Sequence, residues 1–352
     1  MALFSKNCLG IDIGTFSIKI VELSSSGKKK KLLNYIQFQN SSTASPFRTF
    51  GKDSSLLLST EVAEVLDALL KKAKVKTRNA YLAIPDFSTF FTTFSLPLMT
   101  EIEIPQAIEF EAHHRIPLPL SEVTFDWRMI ESKEEFKGVK KLKIMLVAIP
   151  NSVIFEYQKL ANLIGFNLKG IEPEIFGLTR AISWGRREEV VCLVDIGYTS
   201  TTISIIEKGI LKQSYSFDIS SLDLTKTLVD FLNLGFEKAE KIKEEIGLNP
   251  KEPKVFQALS SRLDFLLKEI QNINNTFLKT EKNKEIKSIV LAGGSAHLMG
   301  LKDYFKNFLE KEIEIFNPFL NISYPEVLKE RLEELGPSLS IAVGTALRGV
   351  EE

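Results

Sequence analysis

Cysteine is nearly absent: the 352 residues hold two, Cys8 and Cys192, alongside three histidines. So few groups exclude a disulfide framework and any run with zinc-ligand spacing. Both cysteines stand just before an Asp-x-Gly step, where a small apolar side chain packs easily, and neither is read as a nucleophile. A surplus of charge is absent too, since 45 Lys+Arg meet 45 Asp+Glu. Holding nucleic acid or anionic lipid through bulk electrostatics needs a basic excess, so both classes fall away, local basic patches aside. Long apolar runs are missing: the most apolar uncharged one, Ile144 to Phe155, has 12 residues with Pro150 and Asn151 inside it. A bilayer-spanning helix needs ~20. Lys6 and Asp12 interrupt the apolar N-terminal residues before a signal-peptide core builds, so a cytoplasmic location is expected.

What remains is ordinary globular sequence, 44% hydrophobic and 26% charged. At roughly 100–200 residues per domain, that length suggests two structural halves or one large α/β unit. An internal echo favours two halves. CLGIDIGTFSIKIVEL near the N-terminus is answered by CLVDIGYTSTTISIIEKG, with Asp195 lying 183 residues after Asp12. Each copy is a β-branched run, an Asp-x-Gly step, a small polar turn and a second apolar run of period two, the pattern of a β-hairpin. The period is far too long for a solenoid, so two facing hairpins in similar halves are predicted.

Between the hairpins, Lys28–Lys31 and Asn40–Ser45 read as exposed turns, and residues 60–74 as a helix with Val62, Val65, Leu66 and Leu69 on one face. The strand NAYLAIP follows. Residues 86–150 then read as an α+β insertion: the Phe-rich FSTFFTTFSLP, a helix around Gln106–His113, and strands TFDWRMI and KLKIMLVAIP. In FTTF, Thr is expected on one face and Phe on the other, giving a half-buried edge able to accept an added strand. Adjacent His113 and His114 point about 100° apart on a helix and do not make a metal site. Residues 152–164 and 173–183 return to helix. Gly177 inside the latter costs about 1 kcal/mol relative to Ala, so close packing of another helix is expected there. Residues 221–281 are helical in pattern, broken by Gly247, Pro250 and Pro253. The strand SIVLAGG, a helix from Leu301 to Glu310 and the glycine-punctuated helix SLSIAVGTALRG complete the pattern.

Chemistry concentrates at the echo. Gly14 and Gly197 permit a tight turn whose successive N–H groups form an anion-binding nest. Thr15, Ser17, Thr199, Ser200 and Thr201 add hydroxyls, and Lys19 a compact positive charge. Asp12 and Asp195 would repel a polyphosphate unless Mg²⁺ sat between them, held through its retained waters. One such turn is ordinarily just a hairpin; two make phosphate binding the better reading. Gly293 and Gly294 in AGGSAHLMG let the backbone approach a ring or a phosphate, or simply turn a strand into a helix. Glu240 and Lys243 in AEKIKEEIG share a helical face suited to a ribose, or to solvent.

Taken in order, these four elements resemble the actin-like ATPase superfamily, whose phosphate-1, phosphate-2 and adenosine motifs match IDIGTFSIK, VDIGYTSTT and IVLAGGSA. The resemblance implies an α/β actin-like fold of two similar halves around a nucleotide cleft, with a small α+β subdomain of the type seen in the division protein FtsA inserted in the first half. It divides the chain into 1–85 with 151–185 (first half), 86–150 (insertion), 186–220 with 286–352 (second half) and 221–285 (helical subdomain). It implies ATP or ADP with Mg²⁺, contacted by Asp12, Gly14, Thr15, Phe16, Ser17 and Lys19, by Asp195, Gly197, Thr199 and Ser200, by Gly293, Gly294 and Ser295, and at the ribose by Glu240 and Lys243. Asp12 and Asp195 would hold the metal through water. Glu174 stands where the superfamily has a water-orienting residue, a place equally suited to a structural acid.

More narrowly, LAIPDFSTFFTTFSLP, AIEFEAHHRIPLPLSEVTFDW, IEPEIFGLTRAI, NPF at Asn317 and ELGPSLSIAVGTALRG resemble the PilM family of type IV pilus assembly. That resemblance implies a cytoplasmic ATP-binding scaffold with at most weak turnover, peripheral to the inner membrane through its partners. It would dock the cytoplasmic N-terminal peptide of PilN and link the inner-membrane pilus complex to the motor ATPases, with self-association open. Three alternatives stand beside it: a filament-forming protein like FtsA, which would carry a C-terminal amphipathic helix not seen before Glu352; a type II secretion relative, which would continue into a transmembrane helix; and a small-molecule kinase, for which no Asp base offers itself beyond the two motif aspartates.

Overall fold

The computed structural model describes residues 6–40, 46–50, 56–58, 61–136, 139–184, 189–281 and 284–351. The first echo is a hairpin of Lys6–Ile13 (β1) and Ser17–Ser26 (β2), pairing Asp12 with Lys19. Lys29–Gln39 (β3) continues the meander, followed by the short pair Arg48–Phe50 (β4) and Leu56–Leu58 (β5). Glu61–Lys72 (α1) buries Val62, Leu66 and Leu70 and carries its acids in the first turn and its lysines in the last, as the helix dipole favours. Asn79–Ile84 (β6) lies parallel to β1.

An excursion follows, of Phe90–Pro97 (β7), Ile104–Arg115 (α2), Val123–Phe136 (β8) and Val139–Pro150 (β9), with its own sheet ordered β7-β9-β8. Asn151–Ile164 (α3) then stops at Gly165, whose φ of +73° closes the last turn. Asn167–Pro173 (β10) completes the first sheet, and Glu174–Ser183 (α4) leaves it.

The second half repeats the plan with Val190–Ile196 (β11), Thr201–Glu207 (β12) and Ile210–Phe217 (β13). The helices Ser221–Leu232 (α5), Phe236–Ile246 (α6) and Pro253–Thr280 (α7) follow, then Ser288–Ala292 (β14), Leu301–Leu309 (α8), Glu312–Ile315 (β15) and Lys329–Glu351 (α9). Strand order makes the duplication explicit: β10-β6-β1-β2-β3 in one sheet, β15-β14-β11-β12-β13 in the other. The register agrees as well. Asp12 pairs with Lys19 and Ala83, and Asp195 with Thr202 and Ala292. Cys8 and Cys192 are both buried in these central strands, as expected of small apolar fillers.

The closing helices are exchanged between the halves. α4 lays Ile175, Leu178, Ala181 and Ile182 against Val191, Leu193, Ile206 and Leu211 of the second sheet. α9 lays Leu339, Ala342, Val343, Ala346 and Leu347 against Cys8, Val21, Leu23 and Tyr81 of the first. The two helices cross between the sheets, where glycines bring the backbones together: a Cβ on Gly344 would lie 1.8 Å from the Gly177 carbonyl oxygen. The close approach expected at Gly177 is therefore present.

Three expectations need correction. The lysine run is not an exposed turn: the turn is at Gly27, β3 begins at Lys29, and Lys30 is buried. Its ammonium donates to the Val350 carbonyl at 2.7 Å and lies over the Trp184 ring, and burial lowers its pKa. The other exposed turn, at residues 40–45, lies outside the described residues apart from Asn40. β7 is an edge strand, but its faces are mixed, because Phe91 and Phe94 are three apart and a strand has period two. Phe94 and Leu96 pack on Ile104 and Ile108 of α2, while Phe91 faces α4 with Met145 and Phe176.

The last helix begins nine residues before SLSIAVGTALRG and runs through Pro337. The Glu333 carbonyl, which Pro337 cannot bond, is taken by His297 Nε2 at 3.2 Å, and the Pro337 carbonyl accepts the Gly293 N–H at 3.0 Å. The tight turns expected at Gly14 and Gly197 are present and are made without positive φ. A Cβ on Gly14 would meet Ser17 Oγ at 2.8 Å and one on Gly197 the Ser200 carbonyl at 2.9 Å, so what these turns require is closeness.

Candidate functional site

Both hairpin turns open on one cleft of about 460 Å³ between the halves. Each is closed in the same way: the Gly14 N–H donates to the Ser17 carbonyl at 2.7 Å, and the Gly197 N–H to the Ser200 carbonyl at 2.9 Å. These glycine N–H groups are thus spent inside the turn, and the donors left for an anion are those of the residues between. The turns meet across the cleft. The Thr15 and Thr199 hydroxyls are 3.3 Å apart, and the Phe16 and Tyr198 rings touch edge to face at 5.1 Å.

Of the residues singled out from the sequence, Asp12, Gly14, Thr15, Phe16, Ser17 and Lys19, Asp195, Gly197, Thr199 and Ser200, Glu240 and Lys243, Gly293, Gly294 and Ser295, and Glu174 line this cleft. Thr201 does not, its buried hydroxyl donating to the Ile219 carbonyl at 2.6 Å. Gly293, with φ of +86°, is where a glycine is obligatory, since a Cβ would also fall 2.4 Å from the Ile196 carbonyl and 2.6 Å from Asp195 Oδ1. It brings the β14 turn directly against the second aspartate. The α5 N-terminus is tied to the second turn by N–H bonds from Ser221 to the Gly197 carbonyl and from Leu222 to the Tyr198 carbonyl, each 3.0 Å.

Lys243 and Glu240 do not form a solvated face. Lys243 is buried, and four acceptors surround an ammonium with three N–H groups: Glu240 Oε1 and Ser221 Oγ at 2.7 Å, Thr225 Oγ1 at 2.8 Å and the Ser221 carbonyl at 3.2 Å. Thr225 donates in turn to Glu240. Lys243 is thereby committed to locking α6 onto α5, and of the pair Glu240 keeps acceptor capacity toward the cleft.

The electrostatic centre holds more than the motifs foretold. Lys19 pairs with the buried Asp12 at 2.9 Å. Glu174, first residue of α4, pairs with Arg48 at 3.1 Å, and Asp86 accepts the Ile175 N–H at 3.0 Å at the same helix start. Four carboxylates thus stand against two cations. Burial, reinforced by Glu174, pushes Asp195 up to about 7. Burial raises Glu174 too, against the pull of Arg48, and raises Asp86 well above the usual range. Such shifts mark negative charge that the protein alone does not neutralise. Among the described residues no three acids or histidines converge tightly enough to grip a metal directly. His113 and His114 sit on α2, where His114 bonds the Phe110 carbonyl.

A second cavity, about 450 Å³, lies behind α4. Trp127 and Arg128 of β8, Met145 of β9, Phe176 and Arg180 of α4, Leu211 of β13 and Arg348 of α9 line it. Its polar floor is Glu172, 2% exposed, gripped by Arg180 at 2.7 and 2.8 Å and by Arg348 at 3.0 Å. α4 is common to both cavities: Glu174 faces one, and Phe176, Thr179 and Arg180 face the other. Lys143 of β9 reaches Glu281 at 3.6 Å, linking the inserted sheet to the second half.

Arg48, Asp86 and this cavity escaped the sequence reading. Arg48 stands in the featureless stretch FRTF, and only Asp86, just after a strand end in IPD, carried a turn signal.

The sequence model of the family described as type IV pilus assembly protein PilM matches residues 10–350. Among solved structures, the PilM-PilN type IV pilus biogenesis complex contains a chain that superposes with TM-score 0.81 over 98% of this chain and 99% of that one, at 22% identity. The ethanolamine utilization protein EutJ from Carboxydothermus hydrogenoformans gives 0.56 over 97% and 89%, at 16% identity. MreB5 of Spiroplasma citri bound to ADP gives 0.50 over 97% and 95%, at 14%. At such identities the likeness is one of fold. FtsA of Staphylococcus epidermidis is 21% identical over 210 residues, 53% of this chain and 45% of FtsA, and FtsA of Bacillus subtilis is 21% identical over 293 residues, 74% and 66%. The chain therefore spans about half the length of the first of these curated relatives. Among the described residues no helix is long and apolar enough to cross a membrane.

Proposed function

Because the chain belongs to the PilM family of type IV pilus assembly proteins, we propose that it is a nucleotide-binding scaffold that docks a short peptide of a PilN-like membrane partner. The observation that carries this reading is the pair of opposed hairpin turns over a cleft whose acids exceed its cations. ATP or ADP with Mg²⁺ fits that donor set: the turns offer N–H and hydroxyl groups to phosphate, and Asp12 and Asp195 face one another's half. A dication would relieve the unneutralised charge that raises Asp195 and Glu174, and, with no direct cage, Asp12 and Asp195 would hold it through its waters. Glu240 accepts from a ribose hydroxyl. Glu174 is a candidate to orient a water, but while Arg48 holds its carboxylate, weak turnover is expected.

For the peptide, we place docking in the second cavity, where aromatic and apolar side chains surround a carboxylate clamped by two arginines. Its walls come from the inserted sheet, α4, β13 and α9, so relative movement of the halves reshapes it. The working units of such a hinge are the four segments set out from the sequence. The protein would reach the cytoplasmic face of the inner membrane through its partner, and motor ATPases and self-association belong to the same reading. Nucleotide controls the peptide cavity only to the extent that it binds the two closure states unequally.

Calorimetric titration of the protein with Mg²⁺·ATP and with an N-terminal PilN peptide, using Asp12→Ala as control, tests the proposal. Both ligands are expected to bind, with Asp12→Ala abolishing only the nucleotide signal. Nucleotide binding without peptide binding would overturn the docking part of the proposal.

A further inference from the structure

Arg48 has no counterpart in the duplication. It comes from β4, between β3 and α1, whereas β13 runs directly into α5 in the second half. Its side chain, 7% exposed, pairs with Glu174 through Nη1 at 3.1 Å, and its Nε lies 3.5 Å from the Thr15 hydroxyl in the first turn. The guanidinium also stands 5.2 Å from the centre of the Phe87 ring, within cation–π range. The lysines among the described residues lining the cleft are committed elsewhere, Lys19 to Asp12 across its hairpin and Lys243 to α5. Arg48 is therefore the cation whose partner is itself an uneasy, half-buried acid at the cleft wall.

Resting on the nucleotide reading above, we infer that Arg48 distinguishes nucleoside triphosphate from diphosphate, its guanidinium exchanging Glu174 for the terminal phosphate. The planar fork suits phosphate oxygens as well as a carboxylate, and a terminal phosphate carries more charge than Glu174 does. The exchange is not prohibitive for Glu174, since its half-buried carboxyl is already biased toward taking a proton. Release of Glu174 frees the first turn of α4, the helix that the two cavities share. A merely structural tie between β4 and α4 would leave the two nucleotides equally affected by its loss.

The test is calorimetry on the full chain with Mg²⁺·ADP and Mg²⁺·β,γ-imido-ATP, comparing the affinity ratio in wild type, Arg48→Met, Arg48→Lys and Glu174→Gln. Loss of a charge-assisted fork lowers the triphosphate-to-diphosphate ratio about tenfold or more in Arg48→Met, with Arg48→Lys between. Glu174→Gln, which releases the guanidinium, raises the ratio. Should Arg48→Met fail to fold, Glu174→Gln decides alone. Equal weakening of both nucleotides in either variant overturns the inference and leaves the nucleotide site standing. Wild type binding neither nucleotide would overturn the site and the inference together.

Discussion

Replacing Gly344 by Ala tests whether the helix crossing holds the halves together. The added Cβ would lie 1.8 Å from the Gly177 carbonyl oxygen and 2.4 Å from its carbon. Ordinary contact is about 3.4 Å or more, so α4 and α9 must part by roughly 1.5 Å. No rotamer change relieves a clash with backbone, and both helices are wedged between sheets. Overpacking costs about 1–3 kcal/mol and this case belongs at the top, while Ala returns about 1 kcal/mol of helix propensity. The net expectation is a loss of about 2 kcal/mol or more.

Gly177→Ala at the same crossing is the internal control. Its Cβ would meet Thr345 Oγ1 at 2.8 Å and the Ile341 carbonyl at 3.0 Å, and the Thr345 hydroxyl, buried with no hydrogen-bond partner among the described residues, loses nothing by turning away. Strain and helix propensity then nearly cancel, within about 1 kcal/mol of wild type. Gly294→Ala, with nothing within 4 Å, should be neutral. Urea unfolding followed by circular dichroism reads the order. Gly344→Ala as stable as Gly177→Ala would refute the reasoning.

Two further outcomes follow from charge. Asp195 titrates at about 7 in the folded chain against 3.8 when free, so between those values the unfolded chain has lost a proton the folded chain keeps. Its contribution to stability therefore falls as pH rises from about 4 to 7 and stays low above, and Asp195→Asn should gain more over wild type at pH 8 than at pH 5 in urea midpoints. Equal gains at both would sink that account. Glu172→Gln strips the carboxylate from between Arg180 and Arg348 and should cost about 2–3 kcal/mol, moderated because both guanidiniums reach water, and weaken peptide binding; a variant of wild-type stability would show the clamp to be ornamental.

The sequence made the hairpins legible because their signals are local: an apolar run, Asp-x-Gly, a polar turn, another run, twice. The edge strands β3, β10 and β13 were not legible. KKKLLNYIQFQ opens on lysines, and NLKGIEP contains Gly170 and Pro173, so neither shows a strand pattern until a neighbour supplies the pairing. Pro337 hid the start of α9 because its compensation, a histidine taking an orphaned carbonyl, comes from 40 residues upstream. Arg48 and Asp86 matter through what they meet in space. The resemblance to the superfamily motifs implied which residues gather at the cleft; it did not imply that Lys243 would be consumed by its own helical pair, since that depends on Ser221 and Thr225 arriving beside it.

The exchange of closing helices also bears on how the chain is made. β1 and β2 are synthesised first, yet the apolar face formed by Cys8, Val21 and Leu23 is covered by α9, some 320 residues later. At roughly 5–20 residues per second, that face waits on the order of tens of seconds at the ribosome. The first sheet cannot mature as an independent unit during synthesis, so its nascent form is a natural client for chaperones, and cutting the chain between the halves would strand an open core on each side.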